Sequence, residues 1–374
     1  MTKDSQLTIN FFLQSRDFGG AEKFALDLLT ELARTGENTY LYTNNPILLQ
    51  ELSAKQQPKV RRLPLHLDFV GNRRGLLKSL LLTPLASVYY WRTLLKIKNR
   101  KSSQVILCSG FSEKILLAPL AHLCQIPIIF IEYGPLEPLF AKFAGLPKKL
   151  YFFAKQFAKK IIVSSEKTKE ALSSVFPKQQ LTLVRCGSRD RLPQIKPTIK
   201  KHTVTIVSRL EKGKGQDLAI QAWQLLKDKP TDARLRIIGR GNFYPTLQKL
   251  ARGDKSIELI DYVTDTTEIV AESAIILCPS VWELEGFGLV VTEAMAMAKP
   301  IIAFDRAPYN ELIANERNAL LAKDRDIADL AHKIDLLLCD SKLQKRLGKQ
   351  ARADFLTRFE IGAVAKNYLQ ALQN

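Results

Sequence analysis

Ten short apolar runs are spaced along this chain, alternating with longer stretches of helical period. The runs are Leu7–Leu13, Asn38–Tyr42, Val105–Cys108, Ile126–Ile131, Lys160–Val163, Thr203–Val207, Arg234–Ile238, Ile257–Ile260, Ile275–Cys278 and Pro300–Ala303. Strands that alternate with helices form parallel sheets joined by right-handed crossovers. Ten strands suit two doubly wound sheets better than one. A length of 374 residues agrees with two domains, and a hydrophobic content of 46% is ample for a core in each.

The stretch from Cys186 to Pro197 is polar, holds two prolines and has no period, so the linker is expected there. The expected domains are therefore 1–190 and 191–354, followed by a C-terminal segment, 355–374, in which Phe355 to Leu372 reads as one amphipathic helix. Cys108, Cys124, Cys186, Cys278 and Cys339 show no paired spacing, and several lie in apolar runs. Those in the apolar runs read as small buried hydrophobes, and an odd count with no framework suggests a reducing compartment. Ile9 to Leu13 is too short for the apolar core of a secretory signal and lacks a basic lead. No run of about 18 uncharged apolar residues is present, so no membrane-spanning helix is expected.

The most informative segment for chemistry is Glu285-Gly286-Phe287-Gly288-Leu289-Val290-Val291-Thr292-Glu293. It follows the run Ile275–Cys278 and a loop, and it leads into a helix-forming tract, Val290 to Ala298. The glycines thus fall between a strand end and a helix start. Free backbone N–H groups and the positive end of a helix dipole suit a diphosphate at such a place. Glu285 is expected in the loop near whatever the diphosphate carries. Glu293, about two turns into the helical region, is placed to accept hydrogen bonds from a pair of ribose hydroxyls. Two glutamates at this spacing also arise by chance, and Glu293 reads equally well as a solvated helix residue.

Together with Cys278-Pro279-Ser280 before it and Lys299-Pro300-Ile301-Ile302-Ala303 after it, this segment resembles the signature of glycosyltransferase family 4. Val207-Ser208-Arg209-Leu210-Glu211-Lys212-Gly213-Lys214-Gly215 is similar to that family's strand and loop carrying an Arg and a Lys for the donor diphosphate. Ile237-Ile238-Gly239-Arg240-Gly241, Ile260-Asp261-Tyr262-Val263 and Phe18-Gly19-Gly20-Ala21-Glu22 resemble its other ligand loops. The resemblance implies the GT-B fold: two Rossmann-like α/β domains facing across a cleft, with a C-terminal helix crossing back to the first. It implies a retaining, metal-independent transferase using a nucleotide-diphosphate sugar, with a UDP-sugar favoured. Arg209 and Lys214 would neutralise the leaving diphosphate and Glu285 would orient the sugar. Gly19, Gly20, Gly239, Tyr262, Val263, Gly286, Phe287, Gly288, Leu289 and Glu293 would line the donor. Retention would follow from attack on the leaving-group side, with a donor phosphate oxygen taking the proton.

Arg209 also has Glu211 as a surface partner, and Lys214 alone reads as solvated. Where many relatives carry a His after the strand ending at Ile131, this chain has Glu132-Tyr133-Gly134-Pro135. Glu132 either takes a hydrogen bond from sugar or acceptor, or is a structural carboxylate pairing a backbone turn. Asp324-Arg325-Asp326 has the look of a metal-binding Asp-x-Asp, but Asp326 stands where a helix cap is expected. No metal ligand set and no cofactor beyond the donor substrate is expected.

The net charge is +19, with +14 in residues 1–190 and +5 in residues 191–374. Residues 71–101 and 140–160 contain no acid, and their lysines and arginines are interleaved with leucines and aromatics. Such stretches favour the interface of an anionic bilayer, or else they pack on a sheet with their charges solvated. Nucleic-acid binding has no motif to support it. The expected protein is cytoplasmic, peripheral at the inner face of the plasma membrane, and acts on a lipid-linked or cell-surface glycan acceptor. The rival readings are a sugar-nucleotide epimerase of the same fold and an inactive nucleotide-sugar-binding scaffold.

Overall fold

The computed structural model describes residues 7–15, 18–53, 58–195, 198–227 and 229–373. Residues 196 and 197, at the end of the predicted linker, lie outside them. The chain divides into two compact units. One comprises Met1–Arg185 with Val364–Asn374, the other Cys186–Ala363.

In chain order the first unit contains β1 (Leu7–Leu13), α1 (Gly20–Arg34), β2 (Asn38–Thr43), α2 (Pro46–Ser53), β3 (Lys59–Arg62), α3 (Arg73–Lys98), β4 (Ser103–Cys108) and α4 (Phe111–Leu123). These are followed by β5 (Ile128–Glu132), α5 (Glu137–Phe140), α6 (Leu146–Lys155), β6 (Lys160–Val163), α7 (Glu166–Ser173) and β7 (Leu181–Leu183). The sheet order is β3-β2-β1-β4-β5-β6-β7, parallel throughout. Its strand order reverses between β1 and β4. Buried side chains such as Phe12, Ile106, Phe130 and Ile161 join the inner faces of α3, α4 and α6 in one core.

The second unit contains β8 (Lys200–Val207), α8 (Gln216–Gln224), β9 (Arg234–Ile238), α9 (Tyr244–Leu250), β10 (Ile257–Ile260), α10 (Thr267–Glu272) and β11 (Ser273–Cys278). Next come α11 (Leu289–Ala296), β12 (Ile301–Phe304), α12 (Tyr309–Leu312), β13 (Leu320–Ala322), α13 (Ile327–Cys339) and α14 (Ser341–Arg358). The order β10-β9-β8-β11-β12-β13 is again all parallel, and it reverses between β8 and β11. In sheets of this kind the loops after the strands flanking the reversal leave a crevice, and ligands bind there. The core includes Trp223, fully buried, whose indole N–H donates to Ser256 Oγ at 2.8 Å.

The C-terminal region corrects the expectation of a single helix from Phe355 to Leu372. α14 ends at Arg358 and α15 (Ile361–Gln373) begins afresh. The Phe359 carbonyl accepts from the Ser188 amide at 3.0 Å, and the Ile361 amide donates to Ser188 O at 3.1 Å. The carboxylate of Glu360 then caps α15 by accepting from the Gly362 amide at 2.7 Å. Within the first unit, the Tyr368 ring lies 5.8 Å from that of Phe24, and Lys160 Nζ donates to Ala371 O at 2.7 Å.

Candidate functional site

The loop after β8 and the loop after β11 flank the strand-order reversal of the second unit, and both belong to the predicted donor site. Two backbone features press them together. Gly215, at φ +76°, lies so close to Pro279 that a Cβ would stand 1.8 Å from its carbonyl oxygen. The Val281 amide donates to Gly213 O at 2.8 Å. A side chain at 215 would push the loops apart, so Gly215 is a requirement of packing as well as of ligand approach.

Lys214, between these glycines, is thereby delivered to Glu285. Its Nζ lies 2.7 Å from Glu285 Oε2, and the two side chains retain only 11% and 17% of their exposure. Ser280 Oγ donates to the same carboxylate oxygen at 3.1 Å. The ammonium of Lys214 stands 4.1 Å from the centre of the Trp282 ring, and the guanidinium of Arg209 stands 4.9 Å from it. Both predicted diphosphate cations therefore share one indole, held by the electrostatic attraction between a cation and a π face. Arg209 is the more exposed and also pairs with Glu211 at 2.7 Å. The surface partner weighed from sequence is present, and it leaves the guanidinium on the same ring.

Beyond Glu285 the chain turns into α11 through Gly288. The φ of +88° there suits glycine, and a Cβ would meet Tyr309 Cε1 at 2.7 Å. Leu289 is the first residue of α11. Glu293 is the fifth, so it lies a little over one turn into a helix shorter than expected. The Cys278 thiol lies deep at the end of β11. Burial pushes its pKa well up, and the charges of Glu285 and Glu293 push it further. Burial likewise raises the Tyr309 phenol, with Glu285 adding to the effect. The Phe287 side chain is buried and packs edge-on against Phe359 at 6.2 Å, so a ligand at this loop meets its backbone only. Burial also lowers the Lys299 ammonium, between α11 and β12, to about 8.

The other second-unit residues lie at neighbouring strand ends. The Gly239 amide donates to Ile260 O at 3.0 Å, and a Cβ there would meet Ser208 O at 1.9 Å. Close packing of the strand ends accounts for this glycine without a ligand. Tyr262, exposed, and Val263, half-buried, follow β10. They stand beside an exposed bidentate pair between Arg240 and Asp261, with contacts of 3.1 and 2.9 Å. Asp326 caps α13 by accepting from the Asp329 amide at 2.9 Å. Asp324 pairs with Arg306 at 3.2 Å and Arg325 at 3.1 Å. No group of three or more His, Cys, Asp or Glu side chains suited to a metal ion occurs among the described residues.

In the first unit, Gly19 caps α1, and its amide donates to Glu22 at 2.9 Å, with Gly20 opening the helix. Glu132 is the last residue of β5. Its carboxylate is buried 2.6 Å from Lys114 Nζ and accepts from Tyr151 Oη at 2.5 Å. Lys114 also donates to Ile131 O at 2.8 Å. These surroundings support the structural carboxylate of the two readings weighed, although its partners are side chains. Trp282 and Tyr309 carry no motif that the sequence alone picks out. A tryptophan in a loop three residues before Glu285 was the one available signal.

Comparison with known proteins falls on this same region. Residues 188–354 match the family model "Glycosyl transferases group 1", which spans most of the second unit. An uncharacterized glycosyltransferase of Haemophilus influenzae is 30% identical over 158 residues, covering 41% of this chain and 44% of that protein. The N,N'-diacetylbacillosaminyl-diphospho-undecaprenol alpha-1,3-N-acetylgalactosaminyltransferase of Campylobacter jejuni is 31% identical over 172 residues, covering 46% and 44%. The chain thus spans less than half the length of these curated relatives. Among solved structures, Anabaena HepE in complex with UDP and glucose superposes with a TM-score of 0.79 at 18% identity, covering 98% of this chain and 99% of that one. The two parallel α/β units have the GT-B fold expected from the resemblance.

Proposed function

We propose that this chain is a retaining glycosyltransferase of family 4 type. It moves a hexosyl unit from a nucleotide-diphosphate sugar, most simply a UDP-sugar, to a lipid-linked or cell-surface glycan acceptor. The observation that carries the reading is the Lys214–Glu285 pair, 2.7 Å apart on the ring that also carries Arg209, at the entrance to α11. Cleavage of a sugar–phosphate bond leaves growing negative charge on the diphosphate. A lysine, an arginine and a helix N-terminus fixed in advance stabilise that charge without reorganising at the moment of reaction. On this reading Lys214 exchanges its carboxylate partner for phosphate when donor arrives. Glu285, released from the ammonium, accepts hydrogen bonds from the sugar, and Glu293 accepts them from the ribose. The cations replace a metal ion in this role. Similar proteins support the substrate classes: one solved structure holds UDP and glucose, and one relative is named for an undecaprenol-linked acceptor.

The test incubates the purified full chain with a panel of radiolabelled nucleotide sugars and a membrane lipid extract, with and without chelator. Sugar is expected to pass to the lipid fraction with its anomeric configuration kept, and chelator is expected to leave the rate unchanged. Lys214→Ala and Glu285→Ala should each lower transfer by about 100-fold or more, with folding retained by circular dichroism. Donor isomerisation without transfer would identify an epimerase. Donor binding with no turnover that either substitution alters would leave a scaffold and overturn the proposal.

A further inference from the structure

Helix α3 has two apolar faces. Ser79, Ala86, Tyr90 and Ile97 are buried toward the first unit's core. Leu77, Leu81, Val88 and Leu95 point the other way and are exposed, with Leu81 retaining 82% of its accessible surface, Leu77 62% and the adjoining Leu85 60%. At 100° per residue these four fall within about 40° of one another, and the buried set lies about 180° away. A globular helix needs one apolar stripe. The second runs about 27 Å from Leu77 to Leu95 and stays exposed along that length.

What rims the stripe points to its occupant. Arg74, Lys78, Arg92 and Lys96 line one edge, all exposed, and residues 71–101 contain no acid. A second copy of the chain would bring the same cations against them. An anionic lipid surface supplies negative charge at the rim and hydrocarbon behind it. A second basic segment adjoins the first: Lys142 Nζ donates to Val70 O, just before α3, at 2.5 Å. In that segment α6 exposes Phe152 and Phe153 beside Lys148 and Lys149, the pairing of aromatics and cations found at bilayer interfaces.

We infer that the outer face of α3 lies in the headgroup region of an anionic bilayer, with its leucines inserted and α6 as a secondary contact. This deepens the proposed function by naming the surface that holds the first unit beside a lipid-linked acceptor. It rests on that reading for its purpose only, because vesicle binding is measured without donor or acceptor.

The full chain is sedimented with vesicles of phosphatidylcholine containing about 30% phosphatidylglycerol, and with phosphatidylcholine alone. Binding to the anionic vesicles only is expected, falling at least tenfold as salt rises from about 0.05 to about 0.5 M. Leu81→Glu/Leu85→Glu should lower the apparent affinity at least tenfold, while Leu225→Glu, at an exposed site in the second unit, should not. Arg74→Gln/Lys78→Gln should lower it by about fivefold per charge and serves as the test if the glutamate variant does not fold. No anionic-vesicle binding at low salt, or binding that both variants retain in full, overturns the inference. So does a light-scattering mass showing a dimer that Leu81→Glu/Leu85→Glu dissociates, which would assign the face to a second copy.

Discussion

Glu132 separates a structural role from a chemical one, and its surroundings allow the difference to be worked out. Its carboxylate and the Lys114 ammonium are 2.6 Å apart, with 5% and 2% of their side-chain surface exposed. Glu132→Ala would leave the ammonium buried without a counter-charge, at a cost of about 3–5 kcal/mol. It would also leave the Tyr151 hydroxyl without its acceptor, which adds about 1 kcal/mol or more. The total is a large part of the roughly 5–15 kcal/mol that keeps a domain folded. Lys114→Met/Glu132→Leu removes both charges, so its loss should be much smaller, and the cycle should give a coupling of about 2 kcal/mol or more. Urea unfolding of the wild type, both single variants and the double variant measures this, with transfer assayed on each protein in water. If Glu132→Ala unfolds within about 1 kcal/mol of wild type and yet loses transfer, the buried-pair reasoning is wrong and the carboxylate acts at the chemistry.

Two further outcomes follow from single positions. Glu113, fully buried at the start of α4, accepts from the Gln14 amide, and burial raises its carboxyl to about 7 from an ordinary 4.5. Between those pH values the folded chain holds a proton that the unfolded chain has lost. Stability should therefore fall as pH rises from about 4.5 to about 7, by up to about 3 kcal/mol, and thermal melts of Glu113→Gln should show a flatter profile. Gly288→Ala meets both the positive φ and the Tyr309 ring. It should lower stability by about 1–3 kcal/mol and weaken donor binding in calorimetry; an unchanged donor affinity would place the diphosphate elsewhere.

The sequence showed the interior of each sheet plainly and the edges poorly. All ten strands expected from apolar runs are present within a few residues. The three that were not expected, Lys59–Arg62, Leu181–Leu183 and Leu320–Ala322, are all edge strands of three or four residues. An edge strand pairs on one side only and tends to be short, so it leaves little apolar signal. The break between α14 and α15 was hidden for another reason. It is set by the Ser188 backbone, some 170 residues away in sequence, and no local pattern records that. At the candidate site, residue types and spacing point to Lys214 and Glu285. That the two neutralise each other on Trp282 depends on how closely the glycine loops pack, which spacing does not reveal.

The chain leaves the first unit at Arg185 and re-enters it at Val364, so the second unit is an insertion within the first. During synthesis the inserted segment is complete and able to close its own sheet while the first still lacks α15. Until then Phe24 has no Tyr368 ring beside it, and Lys160 has no Ala371 carbonyl to reach. Completion of the amino-terminal half thus waits on residues made some 180 positions later. A chain arrested once Ala363 has emerged would carry a complete second unit on an unfinished first.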